Sequence, residues 1–120
     1  MMFLAEDDGT TLISTTNADA IVLINSHGEI RGGVTVTSNT KGIGLSAGSS
    51  INIEQGATVS GTQNGGSVVG TMHSTIEIQH GSTVSSVLCS NDNTTTVALM
   101  SSGSNYSSAT IGNNCKTFRN

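Results

Sequence analysis

Apolar residues recur along this chain in a fixed rhythm. Ile43-Gly-Leu-Ser-Ala-Gly-Ser-Ser-Ile51 reads apolar, spacer, apolar, two spacers, glycine, two spacers, apolar. The stretches Ile51 to Val59 and Ile76 to Val84 read the same way. Alternation of the Ile-x-Ile kind is the two-residue period of a half-buried strand. The glycine that follows can take a positive φ, which a sharp corner needs. Three such steps of eight residues make a unit of about 25.

The unit recurs as a whole. Ile51-Asn-Ile-Glu-Gln-Gly-Ala-Thr-Val-Ser-Gly61 aligns without gaps on Ile76-Glu-Ile-Gln-His-Gly-Ser-Thr-Val-Ser-Ser86, with six of eleven positions identical. The same offset of 25 relates Val34, Val59 and Val84, Ile43 and Val68, and Asn39 and Asn64. Val22 and Ile24 match Ile51 and Ile53 at an offset of 29, which predicts a longer loop in the first unit. Short strands joined by corners predict triangular coils that stack at about 4.8 Å, each strand pairing with its copy one unit on. Like then sits on like: isoleucine inside, Thr58 on Thr83 outside, Asn39 on Asn64 at a corner. The predicted fold is all-β, a single-stranded right-handed parallel β-helix (β-solenoid) of about four coils of about 25 residues, roughly 20 Å tall. An antiparallel sandwich also uses short, evenly spaced strands, but has no reason to repeat one face at a constant offset.

The motif defines the expected boundaries. Residues 17–112 form the solenoid, 1–16 a cap or leader, and 113–120 a tail. Met2, Phe3 and Leu4 are placed to fold over the first coil, and Phe118 and Arg119 to serve the last. A solenoid end is an open strand edge, which must be covered or used. End-to-end stacking, trimerisation and continuation into a longer chain are the open alternatives. Cys89 and Cys115 lie 26 residues apart, close to one coil. Adjacent coils bring two such residues within disulfide range, and a bridge implies an oxidising compartment. Two unpaired thiols in a small core are the alternative.

Composition narrows the classes. Serine, threonine, asparagine and glycine make up about half the chain, while Leu, Ile, Val and Phe supply under a quarter. Net charge is −4 with 10% charged residues, so the strong charge repulsion of disordered chains is missing. Four basic residues do not build a phosphate-reading surface, so nucleic acid is not an expected partner. Helix formers are scarce, and no apolar run is long enough for membrane insertion as a helix. Met1 to Leu4 runs almost directly into Glu6-Asp7-Asp8 without a basic flank, so no signal peptide is read there.

Candidate chemistry is sparse. Glu54 and Glu77 should point outward and lie diagonally on one face, and paired carboxylates can cleave glycosidic bonds. No aromatic platform for sugars accompanies them, since tryptophan is absent and Tyr106 is the one tyrosine. His27, His73 and His80 lack zinc-site spacing and are read as surface or corner residues, so no metal and no cofactor is expected. Gly65-Gly66 lacks the aspartate of calcium-binding nonapeptide repeats. Thr35 and Thr37, with the Thr58–Thr83 column, could match an ice lattice. That array is expected to reach two rungs and to be interrupted by Glu54, Glu77 and His80.

The segments 51–61 and 76–86 resemble the passenger repeats of bacterial autotransporter adhesins and related right-handed β-helix surface proteins, over roughly residues 20–90. Similar strings occur in phage tail spikes and fibres. Bactofilins, cytoplasmic β-helices that polymerise end to end, are similar in architecture. The resemblance implies a stalk or adhesive surface without catalysis, placed extracellularly, at the cell surface or in a virion. Its implied partners are copies of itself, by end-to-end stacking or as a trimer, and a cell-surface glycan or protein. A polysaccharide-active enzyme using Glu54 and Glu77 and an ice-binding protein are the alternative functions.

Overall fold

Ile51 lies on Ile76 and Ile53 on Ile78 in a parallel ladder, and the rest of the chain is built around that pairing. A computed structural model describes residues 2–6, 11–15, 18–61, 67–89, 94–102, 105–106, 109–112 and 114–119. Every described element is a strand. The first coil holds β1 (Met2–Ala5), β2 (Thr11–Thr15) and β3 (Ile21–Ile24). The second holds β4 (His27–Ile30), β5 (Val34–Ser38) and β6 (Ile43–Ser46). The third holds β7 (Ser50–Ile53), β8 (Thr58–Gly61) and β9 (Val68–Gly70), and the fourth β10 (Thr75–Ile78), β11 (Thr83–Val84) and β12 (Ser86–Cys89). A fifth turn begins with β13 (Thr96–Leu99). It then departs into an antiparallel pair, β14 (Ser101–Ser102) with β15 (Asn105–Tyr106), before β16 (Thr110–Ile111). β17 (Lys116–Arg119) follows as a further rung.

These strands stack into three parallel sheets, with orders β1-β4-β7-β10-β13-β17, β2-β5-β8-β11 and β3-β6-β9-β12-β16. The fold is a parallel β-solenoid of about four turns of roughly 23 residues, slightly shorter than the unit of 25. β1 and β2, inside the expected 1–16 cap, pair with β4 and β5 as rungs, and β17, inside the expected tail, pairs with β13.

Two registers differ from the sequence reading. Val36, and not Val34, stacks on Val59, a step of 23 residues. In the first coil Ile21 and Leu23 face inward and stack on Ile43 and Leu45. Val22 and Ile24, expected as the inward pair, are 57% and 63% exposed. The residues stacked on Ile51 and Ile53 are Gly28 and Ile30. Ile21-Val-Leu-Ile24 is apolar at all four positions, so hydrophobicity cannot choose its face and the ladder does. Gly28 is close-packed: a Cβ there would stand 2.8 Å from the Cδ1 atoms of both Ile51 and Leu23.

The core is a column of aliphatic side chains. Ile30, Ile43, Ile53, Ile76, Ile78, Val36, Val59, Val68, Val87 and Val97 are all fully buried. The corner after the first sheet turns on Gly33, Gly56 and Gly81, with φ of 87°, 88° and 84°. They stack as a ladder, Gly33 N–H donating to Gly56 O at 3.1 Å and Gly56 N–H to Gly81 O at 3.0 Å. The corner that returns to the first sheet uses buried serines instead. Ser49 Oγ donates to Ser46 O and Ser74 Oγ to Thr71 O, both at 2.7 Å. Each hydroxyl satisfies a carbonyl at a turn whose burial would otherwise be costly.

Candidate functional site

Two outward columns of the six-stranded sheet carry the candidate carboxylates. One runs Leu4, Glu29, Asn52, Glu77, Ala98, Phe118, set directly by the strand register. Beside it, at the strand ends, follow Glu6, Arg31, Glu54, Gln79 and Met100. Each is tied to the coil before it by backbone donation: Arg31 to Ala5, Glu54 to Ile30, Gln79 to Ile53 and Met100 to Ile78, all at 2.9 Å. Glu54 and Glu77 therefore lie diagonally on one face. Gln79 Nε2 donates to Asn52 Oδ1 at 3.0 Å across the other diagonal. Arg31 gathers three carboxylates: Glu6 at 3.1 Å, Glu54 at 3.5 Å and Glu29 at 3.9 Å. Glu54 is thus held in an ion pair with Arg31.

The four-stranded sheet presents hydroxyls. Thr35, Thr58 and Thr83 form one column, a rung longer than the sequence reading allowed. Thr37 and Ser60 stand beside it, Ser60 Oγ donating to Thr37 Oγ1 at 3.0 Å. Glu54 and Glu77 do not interrupt this array, because they belong to the neighbouring sheet, and His80 sits at the corner between the two. His73 lies at the opposite corner with φ 65°. His27 leads β4, its Nε2 3.7 Å from Glu29. Among the described residues no three His, Cys, Asp or Glu side chains gather where they could hold a metal. Asn64 and Gly65-Gly66 lie outside the described residues, as does the side chain of Tyr106.

The five-stranded sheet is the apolar face. Val22 stands over Gly44, followed by Val69 and Leu88. A shallow cleft of about 190 Å³ opens here, its walls including Asp19, Val22, Lys41 and Val69.

The coil ends form the last candidate. β1, β2 and β3 are the outermost strands of their sheets. Their outer surface carries Met2 (52% exposed), Leu4 (46%), Val22 and Ile24, while Phe118 (55%) marks the opposite end. Cys89, at the end of β12, is joined to Cys115, which leads into β17, with Cα atoms 5.2 Å apart. The bridge pins the final rung to the coil before it. Sequence reasoning picked out Met2, Leu4 and Phe118 only as caps. The register that aligns Leu4 and Phe118 in one column could not be seen before β1 and β17 were placed as rungs.

Compared with known proteins, the chain matches no family model, no curated protein and no solved structure.

Proposed function

We propose that this chain is a non-enzymatic structural module of the adhesin, fibre or phage-appendage kind, working outside the cell, on its surface or in a virion. It acts by self-association, and its Ser/Thr/Asn faces meet partner chains or glycans. The observation that carries this reading is the edge strand β1. Its sequence, Met-Phe-Leu-Ala, has neither charge nor proline, and its outward side chains Met2 and Leu4 are exposed. Soluble β proteins blunt such edges with charges, prolines or bulges, because an open ladder recruits another strand. The Cys89–Cys115 bridge is in keeping with an oxidising compartment. Sedimentation velocity across a concentration series, with electron microscopy of the same samples, is the test. Filaments or discrete oligomers support the reading, and a monomer at every concentration removes it.

The three-rung threonine column favours a second reading, in which the hydroxyl face orders water and binds ice. Rungs at about 4.8 Å and alternate residues at about 6.7 Å make a regular hydroxyl lattice. Faceted ice crystals in the presence of the protein, lost with Thr58→Leu, support it; round, freely growing crystals exclude it.

A further inference from the structure

From the two ends of the six-stranded sheet we infer that copies of this chain stack head to tail, β17 of one copy pairing in parallel with β1 of the next. The inference rests on the self-association reading and specifies its partner and register. Three observations lead to it.

The first is the polarity of the ladder. Along this sheet each outward residue donates its N–H toward the preceding coil, as Arg31 does to Ala5, Glu54 to Ile30, Gln79 to Ile53 and Lys116 to Thr95. By the same alternation Leu4 turns its N–H and C=O away from β4, toward the open side of β1. At the far end the alternation turns the backbone groups of Thr117 and Arg119 toward the side away from β13. Placing Leu4 opposite Phe118 of another copy lets Leu4 N–H meet Thr117 O and Arg119 N–H meet Leu4 O. The parity is that of every rung inside the sheet.

The second is the outer column. Leu4 and Phe118 occupy the same column and are 46% and 55% exposed. The rungs between them carry Glu29, Asn52, Glu77 and Ala98. Stacking the ends places the two exposed apolar side chains side by side, a cross-strand contact that stabilises a sheet.

The third is charge. Among the described side chains, the first coil carries Glu6 and Asp19 and no lysine or arginine, whereas residues 94–118 carry Lys116 and no acid. Head-to-head and tail-to-tail contacts bring like charges together, and head-to-tail contact alone brings opposite ones. The joint runs through one sheet. β16 and β11, the last rungs of the other two, end before β17 in the chain, so those sheets do not close across it. Association is accordingly concentration-dependent rather than permanent.

The experiment compares the full chain with Leu4→Pro and Lys116→Glu by sedimentation velocity and negative-stain microscopy. Proline at position 4 removes the open-side N–H while the groups that bind β4 stay in place, as edge strands tolerate. Wild type is expected to form a linear series of oligomers. Leu4→Pro, with unchanged circular dichroism and melting, should associate roughly tenfold more weakly or less, the loss of a hydrogen bond and its strand pairing. Added to wild type it should shorten the rods, because its β17 remains competent. Lys116→Glu should weaken association and reduce its sensitivity to salt, since screening then has less attraction to remove. Oligomers that form equally well from both folded variants would overturn the head-to-tail joint and leave self-association through another face standing. A wild-type chain that stays monomeric overturns both.

Discussion

The middle and the ends of this solenoid obey the same interior rule and opposite exterior ones. In one outward column the middle rungs carry Glu29, Asn52, Glu77 and the small Ala98, while the end rungs carry the large apolar Leu4 and Phe118. Inside, the middle rungs bury Ile30, Ile53 and Ile78 completely, whereas Phe3 and Ile13 in the first coil and Ile111 near the last are half-buried. A rung in the middle is packed from both sides and a terminal rung from one, which is how stability is distributed in nearest-neighbour repeat structures. The repeat specifies what each coil hides. What a coil shows depends on whether another coil stands beyond it.

Truncation of the core should give the largest effect and break the comparison most visibly. Ile53 is 0% exposed, between Ile30 and Ile78. Ile53→Ala is expected to cost about 2–5 kcal/mol, as buried aliphatic truncations do. Leu4→Ala should leave monomer stability within about 0.5 kcal/mol, in line with exposed substitutions. Urea denaturation of the two variants under identical conditions measures both. Equal losses would mean that terminal and central rungs are not distinguished by packing.

Next comes the Cys89–Cys115 bridge, which closes a separation of 26 residues. Paired Cys89→Ser and Cys115→Ser substitutions should cost about 3.5 kcal/mol in the chain-entropy account. The loss should be local, because a solenoid can fray from one end. Hydrogen exchange should quicken in β16 and β17 before it does in β7. A uniform rise along the chain would mean that the bridge holds the whole solenoid.

The same contrast decides what was legible in the sequence. Ile51-x-Ile53 and Ile76-x-Ile78 alternate cleanly and share their glycine corner, so their register, the parallel stacking and the fold class could all be read. The spacing of Cys89 and Cys115 likewise pointed at adjacent coils. The first coil was misread because Ile21 to Ile24 has no polar position to mark a face, and because Gly28 occupies a core position where the repeat expects a large residue. β1 and β17 were hidden for a different reason. In β1 the outward side is apolar, which removes the alternation by which strands are found, and in β17 the half-buried Thr117 is polar while the exposed Phe118 is apolar, which inverts it. The outer array of threonines was underestimated because the step between β5 and β8 is 23 residues rather than 25, which moves Thr35 onto Thr58.

A smaller effect should come from the corners, which separate backbone demand from packing. Gly56 has φ 88°, and a Cβ on it would find its nearest neighbour 3.4 Å away at Gly32 Cα, an ordinary contact. Gly56→Ala therefore tests conformation alone and should cost about 1–2 kcal/mol, the penalty of left-handed backbone for an L-residue. At the other corner Ala47 already sits at φ 56°. Ala47→Gly should be close to neutral, because relief of that strain is offset by about 0.5–1 kcal/mol of lost backbone entropy. Thermal melting of both variants reads the difference, and a neutral Gly56→Ala would remove the conformational explanation of the glycine column.

The smallest effect belongs to Arg31, which ties the terminal coil to the interior by charge. Its guanidinium reaches Glu6 in the first coil at 3.1 Å, Glu54 in the third at 3.5 Å and Glu29 on its own coil at 3.9 Å. The arginine side chain is 44% exposed, so water screens all three contacts. Exposed pairs contribute about 0–1 kcal/mol each, and the value falls with salt. Arg31→Met keeps most of the aliphatic stem and removes the charge, leaving three carboxylates on successive rungs to repel one another. A loss of about 1 kcal/mol is expected at low salt, shrinking toward zero at 1 M sodium chloride as the Debye length falls to about 3 Å. Glu54→Gln in the Arg31→Met background should recover part of the loss, because it removes one of the repelling charges. If the loss is instead indifferent to salt and to Glu54→Gln, Arg31 contributes through packing of its stem. The first coil would then be held to the second by the β1–β4 ladder and apolar contact alone, with no electrostatic tie to the interior.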